Sequence, residues 1–464
     1  MRQLQQIQPF ALVQWFLFAG VALFTAQVGI LPRFAFSSPV FGDLEFRMYW
    51  THALMIPLIV VTIVRLLFND DYARHFARTL KSIVTGPGVL WLALAAWVFA
   101  SQFWAFQNPS NAVYASLLLA LELSLGIVIA TTISRGALAM TSVVFLVAAL
   151  PHAILGLLQT VQGDVLGLYA LGERPFNPED PFGFGPQLFR PYGLSFHPNI
   201  LAGHLGMTVL IGLIAAYGTR KRPVLMGVML LLVAVCFVAL LATVSRVALV
   251  ITVVVMVPAA LYAFRPRGRG LIAVWALVGL TGIALVIIGI TTPLVSQLVN
   301  RFYTMLGDPQ AAMARIAEGV PNTLGVWELS PVAGVGAYNL TETMVRTQPL
   351  DRHGMYLHAH NVYIVVLAEL GIVGFVLYTA GLWIPVRNLL AKDRMLSLAA
   401  AALLTFNLII LFDYYYWWPP PMRPTMFWVL GTIWGLRAWN RAAQPVTDTP
   451  DSEPEPSAAV GQPT

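Results

Sequence analysis

Long apolar runs separated by short basic loops constrain this chain more than any single motif. The runs lie at about 10–31, 47–68, 88–106, 112–131, 137–159, 198–217, 224–242, 247–264, 271–292, 361–386, 395–412 and 424–440. A helix needs about 20 apolar residues to cross the hydrocarbon core. Hydrophobic residues make up 58% of the 464, charged residues only 10%, and the mean hydropathy is +0.74. A soluble globular domain is excluded by that composition. Backbone groups inside lipid must be paired within their own segment, so the expectation is an all-α, polytopic integral membrane protein of about 12 transmembrane helices. The run from Phe10 to Ile30 has no small-residue cleavage site and reads as an anchor, not a removable signal. Cys236 is the only cysteine, so no intrachain disulfide can form.

Basic residues orient the bundle. With the N-terminus placed in the cytoplasm, 17 of the 27 Lys and Arg fall in inner loops, including Lys81, Lys221 and Lys392. That asymmetry follows the positive-inside pattern. It accounts for the net charge of +6 better than nucleic-acid binding does. The polar loops 160–197 and 293–360 then lie outside, the larger between the ninth and tenth spans. Within the larger loop, Gln310 to Glu318 and Asn322 to Leu329 read as helical, and Pro331 to Gly336 as a turn. Residues 1–440 form the membrane domain in this reading. The segment 441–464, rich in Pro, Asp, Glu and Ser, reads as a disordered cytoplasmic tail.

Absent motifs narrow the chemistry. There is no G-x-x-x-x-G-K-[ST] for a nucleotide-driven pump, no D-x-D for a metal-nucleotide pair, no H-E-x-x-H and no G-x-S-x-G. No cofactor or metal is therefore expected; His358 and His360 alone make a weak metal pair. Glu122 stands mid-span, where a carboxylate is costly and is either functional or hydrogen-bonded inside the bundle. His152 follows Pro151 in the fifth span and is expected to cap a kink. Glu369 reads as a buried structural partner, about 13 Å along a helix from His360. A secondary transporter would want several paired intramembrane charges and a repeat; the sequence offers one clear mid-span carboxylate and no repeat.

His360-Asn361, nine residues, then Gly371-Ile-Val-Gly374 stands where the large loop re-enters the membrane. A helix start puts partial positive charge beside the ring and favours neutral imidazole, the form that acts as a base. The commoner role of a lone interfacial His is structural. Two to three turns on, the glycines would let another helix approach closely. The outer basic residues are all arginine, whose planar fork suits two phosphate oxygens. For any single one, anchoring or a loop salt bridge is the ordinary role.

Taken in order, several segments resemble the O-antigen ligase and polymerase superfamily of membrane glycosyltransferases. These are Arg190-Pro-Tyr-Gly-Leu-Ser-Phe-His-Pro-Asn199, Ser245-Arg246, Arg315, Pro331-Val-Ala-Gly334-Val-Gly336 and the His360 to Gly374 pattern. The resemblance covers about residues 185–390. It implies a metal-independent, inverting transfer of a glycan from an undecaprenyl-diphosphate donor on the outer face of the inner membrane. The acceptor would be lipid A–core, another glycan or a protein. It further implies His360 as the catalytic base and Arg190, Arg246, Arg315 and Asn361 as substrate-binding residues. Ala317-Glu318-Gly319 and His197-Pro198 depart from the family's usual residues and leave the subgroup open.

Overall fold

The computed structural model describes residues 9–25, 34–38, 42–46, 49–132, 134–176, 189–195, 197–265, 279, 319–347, 358–417 and 422–442. They are mainly helical. Before the large loop come α1 (Pro9–Phe24), α2 (Trp50–Phe68), α3 (Asp70–Val84), α4 (Gly88–Ala100), α5 (Pro109–Ala130), α6 (Arg135–Gln162), α7 (Pro198–Gly218), α8 (Pro223–Ala242) and α9 (Arg246–Phe264). The loop contributes α10 (319–327) and α11 (Leu340–Thr347), and α12 (Val362–Val386), α13 (Arg394–Ile409) and α14 (Arg423–Ala442) follow. Between α1 and α2 the helical pattern is interrupted by an antiparallel hairpin, β1 (Phe34–Ser38) with β2 (Gly42–Phe46), Phe34 opposite Phe46.

Seven of these helices are long and apolar enough to cross a membrane, or up to eight if α3 and α4, bent by 78°, count as one. The apolar stretches of α1 and α13 are shorter, and the expected span at 271–292 lies, but for Gly279, outside the described residues, as do Gln310–Glu318 and the tail beyond Ala442. The expected helix at 322–329 corresponds to α10, and the turn at 331–336 is present.

Helix starts follow local side-chain chemistry. Asn108 accepts from Ser110 N (3.0 Å) ahead of Pro109, Ser134 from Ala137 N (3.0 Å), and Asp393 from Met395 N (3.1 Å). Each pairs an amide that the first helical turn leaves without an intrahelical partner. α3 is the amphipathic exception: Tyr72, Thr79 and Ile83 are buried while Asp71 and Arg74 pair on the outer side at 2.6 Å. α7 runs through the middle and is buried from Ile200 to Ala216. The crossing of α5 and α14 is tight because Gly126 and Gly431 face each other; a Cβ at Gly431 would collide with the Gly126 carbonyl.

Polar side chains tie the bundle at specific points. Glu122 on α5 accepts from His52 Nε2 on α2 (2.8 Å) and Arg423 Nε on α14 (2.5 Å), all three buried. The mid-span carboxylate is thus paired across three helices. His152 donates from Nε2 to the Leu23 carbonyl (2.7 Å), so it caps the end of α1 and leaves its own helix continuous past Pro151. At one end of the bundle Asp393 joins Arg135 and Asn440, and Arg394 lies over the Tyr262 ring at 3.6 Å. These are residues that the basic-residue pattern assigns to the inner side.

Candidate active site

Ahead of α7, residues 189–195 have a fixed backbone. Gln159, near the end of α6, accepts from Tyr192 N (3.0 Å) and Gly193 N (2.7 Å). Its amide donates to the Gly193 carbonyl (3.2 Å) and to Glu173 Oε1 (2.6 Å). Glu173 in turn accepts from Leu166 N (2.8 Å). Held this way, Arg190 is 8% exposed and donates from Nε to the Thr243 carbonyl (3.1 Å) and from Nη2 to Asn199 Oδ1 (3.1 Å). Thr243 sits in the turn that starts α9 at Arg246, with Val244 in the left-handed region at φ 54°. Two expected site residues, Arg190 and Arg246, therefore belong to one joined pair of loops. His197 caps α7 through Nδ1, which accepts from Asn199 N (3.1 Å).

His360 reaches the same end of the bundle from the other side. Asn361 is the cap of α12, its Oδ1 accepting from Ile364 N (3.2 Å), and Val362 N donates to the Ile410 carbonyl (2.9 Å). Ala359 N is held by Thr323 Oγ1 of α10 at 2.8 Å. The His360 and His358 rings lie nearly parallel, centroids 6.3 Å apart, both edge-on to Tyr414 at 5.0 and 4.1 Å. Burial, and then the neighbouring His360, push His358 down to about 4, so it is neutral near pH 7. Tyr414 contacts Tyr415 at 4.5 Å, and Tyr415 contacts His197 at 5.3 Å. A continuous row of rings thus runs from the cap of α7 to His360. Asp413 Oδ1 accepts from Tyr414 N (2.9 Å) and Tyr415 N (3.4 Å) and shapes that segment.

The glycine pattern does something other than admit a neighbouring helix. α12 is broken at Gly371 (φ 64°, ψ −171°), and the turn 331–336 docks into the break. Ile372 N donates to the Pro331 carbonyl (2.9 Å), Val335 N to Ala368 O (3.1 Å) and Gly336 N to Glu369 O (2.9 Å). Gly334 and Gly336 also have positive φ, and a Cβ at Gly371 would collide with the Val332 carbonyl. The two glycine motifs are halves of one lock. Trp104 Nε1 donates to Ala333 O (3.1 Å) and Phe106 N to Val335 O (3.0 Å), closing the lock from the α4–α5 loop. Glu369 is its buried partner: Oε2 accepts from Trp417 Nε1 at 2.7 Å.

These loops meet around a helix-capping histidine, a second histidine just before the cap of α12 and a buried arginine. Residues 231–379 match the O-antigen ligase family. The matched stretch contains Arg246, the glycine lock and His360, and agrees with the motif resemblance. A search of curated proteins finds no match. The likeness is of that part of the chain, 231–379 of 464 residues, to the O-antigen ligase family. Arg315 lies within the match but outside the described residues. Among the described residues, no three His, Cys, Asp or Glu side chains are grouped to hold a metal ion.

Gln159, Tyr414 and Tyr415 were not singled out by the sequence. Gln159 had a visible signal, an amide near the end of an apolar run, though Gln162 beside it carries the same one. The two tyrosines sit in Asp413-Tyr-Tyr-Tyr-Trp-Trp418, whose aromatic density also suits an ordinary interfacial belt.

Proposed function

We propose that the protein transfers a glycan from an undecaprenyl-diphosphate carrier to an acceptor hydroxyl on the outer face of the inner membrane, with lipid A–core as the acceptor. The observation that carries this reading is the O-antigen ligase match over His360, at the bundle end where Arg190 and the turn leading to Arg246 also lie. In this reaction the acceptor oxygen attacks the anomeric carbon from the face opposite the leaving group. Its proton passes to the neutral imidazole of His360, the bond from C1 to the phosphate oxygen breaks, and the configuration inverts. Arg190, Arg246 and Arg315 hold the departing diphosphate charge. Asn199 and Thr243 hold the Arg190 guanidinium in one orientation, so little reorganisation is needed as charge develops. Asn361, whose Oδ1 caps α12, contributes its remaining amide hydrogens to the substrate. No resident metal or nucleotide is required, because the donor is already activated.

The decisive experiment incubates purified protein with a glycan-diphospho-undecaprenol donor and lipid A–core, with excess EDTA, and reads product mass. Ligation yields glycosylated lipid A–core. A lengthened carrier-linked glycan identifies a polymerase, a glycosylated polypeptide identifies protein O-glycosylation, and no new covalent product leaves a transporter. Reporter fusions at Gly336 and Arg441 test the sidedness: an inner Gly336 sinks this reading.

A further inference from the structure

In the proposed transfer, the two tyrosines between His197 and His360 neither hold phosphate nor take the acceptor proton. Tyr415 meets His197 at 5.3 Å and Tyr414 at 4.5 Å, and Tyr414 meets His360 at 5.0 Å. All four rings are half-buried, so each keeps some surface open. An interfacial belt turns its rings to lipid. These rings instead join imidazoles from two separate loops, one capping α7 beside Asn199 and Arg190, the other preceding α12. The geometry points to Tyr414 and Tyr415 as a sugar-stacking subsite, a platform for the pyranose ring joined to the diphosphate.

This inference rests on the transferase reading and adds the part of the donor that reading leaves unplaced. A pyranose presents a patch of C–H bonds on one face and hydroxyls around its rim. The C–H patch packs on an aromatic ring, whose π face is electron-rich and costs little rotamer freedom to fix. The rim needs polar neighbours, and His197 and Asp413 stand beside the two tyrosines. The location suits the order of groups along the donor: diphosphate, sugar, and then the base that serves the incoming acceptor. Buried Asp413, accepting from the amides of both tyrosines, fixes the backbone of the platform before any ligand arrives.

The test compares two lipids on the full chain in nanodiscs: undecaprenyl diphosphate, and the same lipid carrying one N-acetylhexosamine or hexose. The parent protein is expected to bind the sugar-bearing lipid about three- to tenfold more tightly, the scale of one aromatic contact. Tyr414→Leu and Tyr415→Leu should abolish that increment while keeping affinity for the bare diphosphate lipid, and Tyr→Phe at either position should retain it. Equal weakening of both lipids would mark the tyrosines as a structural clamp and overturn the subsite, as would an unchanged increment in the Leu variants or none in a parent that binds both lipids. Saturation-transfer NMR on the parent, with methyl glycosides of N-acetylglucosamine, N-acetylgalactosamine and glucose, needs no variant to fold. Transfer from aromatic protons to one sugar face supports the platform even if neither lipid binds, in which case the donor reading alone falls. No transfer to any glycoside overturns the platform.

Discussion

The glycine lock and the ring row both use α12 and the 410–417 segment, yet they are built differently. In the lock, backbone meets backbone: 331–336 replaces the helical partners lost at Gly371, and the close approach leaves no room for a Cβ at Gly334 or Gly371. In the ring row, half-buried side chains meet at centroid distances of 4–6 Å and no backbone is strained at the described positions 358–361 and 413–415. Motif residues of the first kind build the shape that positions His360. Residues of the second kind face the chemistry in the proposed reaction. Substitution should therefore cost folding in one region and turnover in the other.

The largest expected effect is at the lock. Gly371→Val puts a branched side chain at φ 64° against the Val332 carbonyl, a combination of left-handed strain and backbone collision. Little folded protein should be recovered in detergent, measured as the monodisperse fraction by size exclusion. Near-normal yield would mean that the docking of 331–336 does not hold the fold.

Next comes the buried ion pair that anchors α14. Glu122→Ala leaves Arg423 buried without its carboxylate and His52 without its partner. Removing one member of such a pair costs about 3–5 kcal/mol. The thermal midpoint should fall clearly, and Glu122→Gln with Arg423→Met should recover much of the loss. An unchanged midpoint in the single variant would show that α2, α5 and α14 do not depend on this contact.

At the ring row the loss should be of rate. His360→Ala is expected to lower turnover about 10²- to 10⁴-fold, the usual range for a general base, with donor affinity and thermal midpoint nearly unchanged. Arg190→Lys keeps the charge but loses the fork that contacts Thr243 and Asn199. It should weaken donor binding by about ten- to 150-fold, the loss of one charge-assisted contact at about 1.5–3 kcal/mol. If His360→Ala abolishes donor binding while Arg190→Lys binds normally, the roles are reversed.

Much of this division was legible in the residues themselves. Apolar runs marked the helices because lipid enforces backbone pairing within a segment, and His360-Asn361 marked a helix start because the apolar run begins there; that Asn361 caps it is a finding of the structure. The glycines were visible but misread: a G-x-x-G in an apolar helix usually faces another helix, and nothing local shows that 331–336 supplies the partner 35 or more residues earlier in the chain. Glu122 was visible as an anomaly, but Arg423 as its partner was not, because the two meet only when α5 and α14 cross at Gly126 and Gly431. The tyrosines were missed for a similar reason. Their neighbours come from the caps of α7 and α12, far away in sequence.

The smallest expected effect sharpens the comparison between the two histidines of the row. His358 faces His360 and Tyr414, and burial lowers it to about 4 from an ordinary value near 6.5. An unfolded chain takes up a proton at His358 as the pH falls below about 6.5, while the folded chain does not until about 4. The unfolded state therefore binds more protons in that window, and stability must fall as the pH is lowered through it. The contribution should be about 1–2 kcal/mol. His358→Gln removes it, so the thermal midpoint of that variant should decline less between pH 7 and 5 than that of the parent protein. Because His358 is already neutral at pH 7, its replacement should leave turnover at pH 7 in place, whereas His360→Gln should lower it. Parallel melting curves for parent and His358→Gln across this pH range would show that His358 is solvated and charged like an ordinary surface histidine.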